Sequence, residues 1–377
     1  MPVPPPTAET LNLEPPDAEE VVRLSRGILG VIAADGPPSQ LQGVLVEALV
    51  PAMTGFPFAA TEEPMTPVEF ASALARRDEA FRTRILQLVI LLLLVLRPVP
   101  AGVVDRAQRL ARELGIDEGM LTVAQEFAAG SLGLAAFDFD RNGYTAGWAE
   151  GDEAPLHVSS PLATAWDPVV DDPALARRWQ QLEDLPPGRM GRRVADFYRA
   201  RGFDYPGTPG SAPPLLAQHD WVHVLADYGT TVECELEVFA FIARANDDMR
   251  AFSLLAMVVS LFETGYLRTG AGLFESDTGH LSRAGVATRL ADAMRRGARC
   301  TGSIDFLRLD WFGVADLPVE DVRERLGVVD KAPGAVEHGS VGPWEPGGIS
   351  RFQWEAGQAL AAKLGHRYDA FGASVVR

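Results

Sequence analysis

The chain has 377 residues, enough for one large core or two modest ones, and length alone favours two domains. Hydrophobic residues make up 47% and charged residues 23%, the balance of an ordinary folded soluble protein. A formal net charge of −17, from 34 Lys+Arg against 51 Asp+Glu, argues against a nucleic-acid partner and against polybasic attachment to anionic lipid.

In chain order, residues 1–18 are Pro-rich and acidic and read as a disordered tail, without the basic start and apolar stretch of a secretory signal. Helical periodicity begins near Glu19 and stops at Asp35-Gly36-Pro37-Pro38, after which Ser39 is placed to cap a second helix. The stretch PVEFASALARRDEAFRTR predicts a helix that runs into ILQLVILLLLVL, residues 85–96. Twelve apolar residues fall short of the roughly 20 that a membrane span requires, so this run is expected to be a buried central helix, with no transmembrane segment. VVDRAQRLARELG and DEGMLTVAQEFAAGSLGLAAF predict two more helices. Residues 19–137 therefore form one helical domain, whose "AADG" break followed by paired helices resembles TerB-like domains.

Residues 138–178 lack sustained periodicity and read as a linker. Within it Asp138, Asp140, Asn142 and Gly143 match the start of a calcium loop, but position twelve is Ala149 where a bidentate Glu is needed. A plain Asp/Gly turn is the better reading. Helical patterning returns over residues 179–332, and a Gly/Pro-rich segment precedes a last helix within 333–377. Alternating β-branched runs are nearly absent, so the fold class is all-α, with two helical domains.

Chemistry concentrates in QHDWVHVLADYGTTVECELE, residues 218–237. His219 and His223 stand one turn apart on a helix expected over 215–227 and closed by Gly229, with Asp220 at the edge of their face. Thr230 and Glu233 fit a capping box on the next helix, and Glu237 falls on the same side as a solvated residue. Glu235 instead flanks the apolar stripe of Val232, Leu236, Phe239 and Ala243, where a carboxylate needs a cation or strong donor. Two antiparallel helices would bring Glu235 towards both histidines, so His219, Asp220, His223 and Glu235 are the candidate ligands of a divalent ion. The competing reading is a set of ordinary core polar residues. His157, His280, His338 and His366 show no partner spacing, and Cys234 reads as packed. With only Cys234 and Cys300, no disulfide framework is possible, and a reducing cytoplasm is the natural compartment.

His219-Asp220-x-x-His223, eleven residues and then Glu235 resembles the H-D-x-x-H-x11-E signature of the Coq4 ubiquinone-biosynthesis family. HDWVHVL, the Thr-Thr-Val before the glutamate, GRMGRRVADFYRARGF upstream and GSIDFLRLDWFGVADLPVEDVRERLGV downstream extend the likeness over residues 180–330. Cys234 replaces a common Gly, and Phe312 a common acidic residue after the Trp. The resemblance implies a zinc-like ion on His219, Asp220, His223 and Glu235, with Asp220 and Glu235 the catalytic groups. It implies a metal-dependent decarboxylase, lyase or oxidoreductase acting on an apolar aromatic acid or quinone precursor. It also implies an apolar cavity, a hydrophobic aromatic or lipid-like ligand, biosynthetic partner proteins or a homo-oligomer, and peripheral membrane association. A non-catalytic lipid- or quinone-binding scaffold with a structural metal is the alternative. The echo of the H-E-x-x-H metalloprotease helix is weaker, because Asp shortens the base and no third-ligand pattern follows.

Overall fold

A computed structural model describes residues 16–33, 36–59, 63–144, 172–209, 211–212, 216–267, 278–300 and 304–370. Most of the expected tail, residues 145–171 of the expected linker, and His157 lie outside the described residues. Among the described residues the fold is all-α, with sixteen α-helices and no strand.

The first seven helices are α1 (Ala18–Ile32), α2 (Gln40–Thr54), α3 (Pro67–Ala73), α4 (Glu79–Leu94), α5 (Ala101–Leu114), α6 (Gly119–Ala128) and α7 (Leu132–Asn142). Ser39 caps α2 as expected, in a capping box with Gln42. Two expected helices are each broken in two. The Asp78 carboxylate accepts from the Phe81 amide and starts α4 afresh, separating it from α3. Gly130 takes a left-handed φ of +73° between α6 and α7, a conformation that side chains resist. The calcium-like residues also depart from expectation. Asp138 lies within α7 rather than in a turn, buried and ion-paired to Arg141 at 2.8 Å.

The apolar run fills the C-terminal part of α4 and continues two residues beyond it, and Val89 to Leu94 are all at 0% exposure. Sealing each such Leu or Ile from water contributes roughly 1.5–3 kcal/mol. Among the described residues no helix is long and apolar enough to cross a membrane.

The remaining helices are α8 (Pro173–Gln180), α9 (Met190–Arg201), α10 (Gln218–Ala226), α11 (Val232–Ala245), α12 (Phe252–Phe262), α13 (Val286–Arg299), α14 (Val319–Leu326), α15 (Pro333–Glu337) and α16 (Arg351–Lys363). α11 packs against α10, α12 and α13, while α2 packs on α13 and α4 on α12. The buried apolar side chains form one continuous cluster from Val21 to Val322. Polar ties accompany that packing: Arg84 Nη2 donates to the Asn246 carbonyl, and Gln87 Nε2 to that of Met249, both at 2.8 Å. The site helices α10 and α11 are thus held on several sides by packed neighbours.

Candidate metal centre

α10 is shorter than expected and ends by a different residue. Asp227 itself takes the left-handed conformation, φ 61°, and its backbone closes the helix one residue after Ala226. Asp tolerates this better than most side chains, because its short polar group can bond locally. The chain then turns at once, and Thr231 rather than Thr230 becomes the N-cap of α11. The short connection places the first turn of α11 beside the histidines.

Both imidazoles are oriented by main-chain carbonyls. His219 Nδ1 bonds the Leu216 carbonyl, and His223 Nδ1 bonds that of Gly229 at 2.8 Å. A carbonyl only accepts, so each Nδ1 carries the proton and each Nε2 presents its lone pair. Opposite them, Glu235 spreads its two oxygens: Oε1 is 3.3 Å from His223 Nε2, and Oε2 is 3.5 Å from His219 Nε2. The three residues offer ligand atoms that all lie within 4.8 Å of one another.

These groups fit a divalent cation. His223 Nε2 is sealed and makes no hydrogen bond, although His223 is 0% exposed. Two lone pairs facing a carboxylate repel unless a proton or a metal lies among them. With zinc–ligand bonds of 2.0–2.1 Å, the edge of a tetrahedron is about 3.3–3.4 Å, close to the observed N···O separations. Carbonyl-fixed imidazoles are the usual support of such a ligand pair.

The electrostatics agree with a site short of one positive charge. Burial disfavours charge on His219, yet Asp220 and Glu235 outweigh it and hold the imidazole up at about 9. Burial pushes Glu235 up, and His223 with His219 pulls it down to about 2. Asp220 behaves differently: burial raises its carboxyl above the ordinary range despite both histidines. The Tyr198 hydroxyl donates to its Oδ2 at 2.5 Å, and Oδ1 lies 3.6 Å from His219 Nε2. The structure therefore converges His219, His223 and Glu235 and sets Asp220 beside them, at the His219 edge.

Aromatic rings enclose the group. Phe197 stacks on His223 with centroids 5.5 Å apart, and Phe239 on His219 at 5.2 Å. Only 12% of the His219 side chain is exposed. Arg201, fully buried, lies 3.9 Å from the centre of the Phe197 ring and donates to Thr230 and to the Pro343 and Gly348 carbonyls. Phe312, where an acidic residue was noted as common, packs edge-on against Trp179 and Trp221. Tyr198 and Arg201 were not anticipated, and nothing in their spacing on α9 points to the site.

The neighbouring glutamates overturn two expectations. Glu233 forms no capping box; it accepts from His280 Nδ1 at 2.8 Å and from Arg283 at 2.5 Å. His280 lies in the connection between α12 and α13, as expected, and is buried there with Glu233 as its partner. Glu237 is not solvated. It is 1% exposed and accepts from Arg289 Nη2 at 2.6 Å and Nε at 3.2 Å. Cys234 is packed, as expected, and burial pushes its thiol up to about 11.

No family model matches the chain, and no curated protein matches it. One similar solved structure is from Nostoc punctiforme, a protein provisionally named for ubiquinone biosynthesis. It is 22% identical, with a TM-score of 0.32 over 56% of this chain and 97% of the other. The chemistry of the site therefore rests on this chain's own residues.

Proposed function

We propose that this protein is a metal-dependent enzyme acting on an apolar aromatic acid or quinone precursor, by decarboxylation, with dioxygen as the oxidant where hydroxylation accompanies it. The observation that carries the reading is the pair of imidazole lone pairs, on His219 and His223, turned onto both oxygens of a buried Glu235. The H-D-x-x-H-x11-E resemblance supplies the substrate class and reaction type. A divalent ion, zinc in the first instance, would be held by His219, His223 and Glu235 and would supply Lewis acidity towards a carboxylate or phenolate oxygen.

The chain's own residues supply the rest. Phe197 and Phe239, stacked on the two imidazoles, keep water away from the site and hold the rings in place. Asp220 holds a proton more readily than an ordinary carboxylate, because burial penalises its charge. Tyr198 engages its Oδ2 and leaves Oδ1 to deliver that proton to the ring carbon that loses carbon dioxide. Asp220 is on this reading the proton carrier and Glu235 the anionic ligand. The ligand is an apolar aromatic or lipid-like molecule, and protein partners of a biosynthetic assembly are part of the same proposal.

A second reading is favoured by the burial of the site. Three protein ligands leave a coordination position open, but a substrate needs access to it. Here the side chains of His223, Glu235 and His219 are 0%, 4% and 12% exposed. On that reading the metal braces α10 against α11 in a lipid- or quinone-binding scaffold.

Elemental analysis of purified protein, wild type against Glu235→Gln, tests both. Near-stoichiometric divalent metal in wild type and its loss in the variant are expected; a metal-free wild type would sink the proposal. Turnover of prenylated hydroxybenzoates, abolished in Glu235→Gln and slowed in Asp220→Asn with metal retained, separates enzyme from scaffold. Metal with full partner binding but no turnover leaves the scaffold.

A further inference from the structure

The carbonyl that orients His223 is one half of a planar unit. Gly229 contributes that carbonyl and Thr230 the amide of the same peptide bond, so the two groups turn together and point opposite ways. His223 Nδ1–H donates to the carbonyl end at 2.8 Å, and the amide end donates to the Gly348 carbonyl at 3.0 Å. The Gly229 amide in turn donates to the Val341 carbonyl at 2.9 Å. The turn between α10 and α11 is therefore laid along a strap, Val341 to Gly348. That strap lies beyond residues 180–330, which carry the sequence resemblance.

Arg201, the last residue of α9, fastens strap and turn together. Its Nη2 donates to the Pro343 carbonyl at 3.0 Å and to the Gly348 carbonyl at 2.9 Å. Its Nε donates to the Thr230 hydroxyl at 2.9 Å, and that hydroxyl donates onward to Gln353 on α16. The same guanidinium covers the Phe197 ring, whose stack on His223 was described above. One fully buried side chain thus acts on His223 by two routes, through the peptide plane and through the ring.

Among the described residues every hydrogen-bond partner of Arg201 is neutral, and its Nη1 has none. A guanidinium sealed from water without a carboxylate is costly, and burial holds it down at about 9. What arginine supplies at that cost is a planar fork with donors on two edges, able to grip strap and turn at once. The point charge of a lysine has no such fork.

We propose, on the metal reading given above, that Arg201 is a positioning residue for the metal centre. It pins the Gly229–Thr230 peptide to the strap and so aims the His223 Nε2 lone pair at the ion. Residues 341–353 thereby become part of the site. His219 is oriented independently, by the Leu216 carbonyl ahead of α10, and serves as an internal control.

The test uses the full chain labelled with ¹⁵N in histidine. NMR of the metal-free protein follows the two imidazole Nδ1–H groups, and chelator competition measures zinc affinity. Arg201→Met should speed exchange of the His223 proton with water and leave the His219 signal unchanged. Zinc affinity should fall about 10–100-fold. Arg201→Lys, which keeps the charge without the fork, should recover only part of that loss. Thr230→Val removes one link and should weaken zinc roughly fivefold, the effect of one hydrogen bond. If Arg201→Met does not fold, Arg201→Lys and Thr230→Val decide. Wild-type affinity with an unchanged His223 signal in these variants would overturn the proposal. So would equal changes at His219 and His223, which report general loosening. A wild type that takes up no zinc overturns the metal reading instead, and the His223 signal alone then decides whether Arg201 aims that ring.

Discussion

Glu235 and Glu237 stand two residues apart on α11 and face opposite sides, at 3% and 1% exposure. Spacing and burial do not separate them; the protons of their partners do. Glu237 meets a permanent cation, and Arg289 grips it through two nitrogens. That pair is electrically complete. Glu235 meets imidazoles whose Nδ1 protons already serve the Leu216 and Gly229 carbonyls. On this side the charge of a buried carboxylate is balanced only if a further proton or a metal ion enters. A proton there explains why His219 is held up, and a divalent ion would compete for the same place.

Breaking the complete side should give the largest effect. Glu237→Gln leaves the Arg289 guanidinium buried without its carboxylate, and about 3–5 kcal/mol of stability should be lost. Urea titration of the metal-free protein measures this. Glu235→Gln under the same conditions should cost within about 1 kcal/mol, because His219 can shed its proton where arginine cannot. A Glu237→Gln protein of wild-type stability, or one that folds normally but has lost metal, would show that the two sides are not distinct.

A smaller effect sharpens the metal side. Gly229 packs backbone to backbone on Gly348, and a Cβ there would stand 2.7 Å from Gly348 Cα. Gly229→Ala must push that turn aside, at about 1–3 kcal/mol for overpacking. The displaced residue is the one whose carbonyl orients His223. Metal affinity should fall about 10–100-fold with all three ligands intact, as for loss of other supporting hydrogen bonds. Competition with a chelator reads the affinity. An unchanged affinity with the expected destabilisation would mean that the carbonyl does not tune the ligand.

How much of this was readable beforehand follows the range of the forces involved. The all-helical class, the Ser39 cap and the buried 85–96 run rest on local periodicity and composition, and these were read correctly. His219, His223 and Glu235 were also found, because a one-turn spacing and a carboxylate beside an apolar stripe are local signals. The breaks at Asp78 and Gly130 were missed, since apolar spacing continued through both and the decisive feature was a cap or a left-handed residue. Glu233 and Glu237 were misread for a longer-range reason. Their partners lie 47–52 residues away along the chain, and only packing of α11 on its neighbours reveals them. Tyr198, 22 residues before Asp220, was invisible on the same grounds.

A third kind of buried carboxylate completes the comparison and gives the mildest effect. Glu126, on α6, is 8% exposed, and the side chain it bonds is another acid, Asp138. Burial first, and then Asp138, raises the Glu126 carboxyl to about 7, with Arg141 only partly relieving it. Its Oε2 has no hydrogen-bond partner. The sign is opposite to that of a salt-bridged glutamate. Between an unfolded value of 4.5 and a folded value of about 7, the native state binds the extra proton, so stability falls as pH rises through that window. Glu126→Gln removes this titration. The variant should match wild type near pH 4–5 and exceed it by about 1–2 °C in Tm near pH 8, measured by thermal denaturation across that range. A gap that does not widen with pH would mean that Asp138 and Arg141 already neutralise the pair, as Arg289 neutralises Glu237.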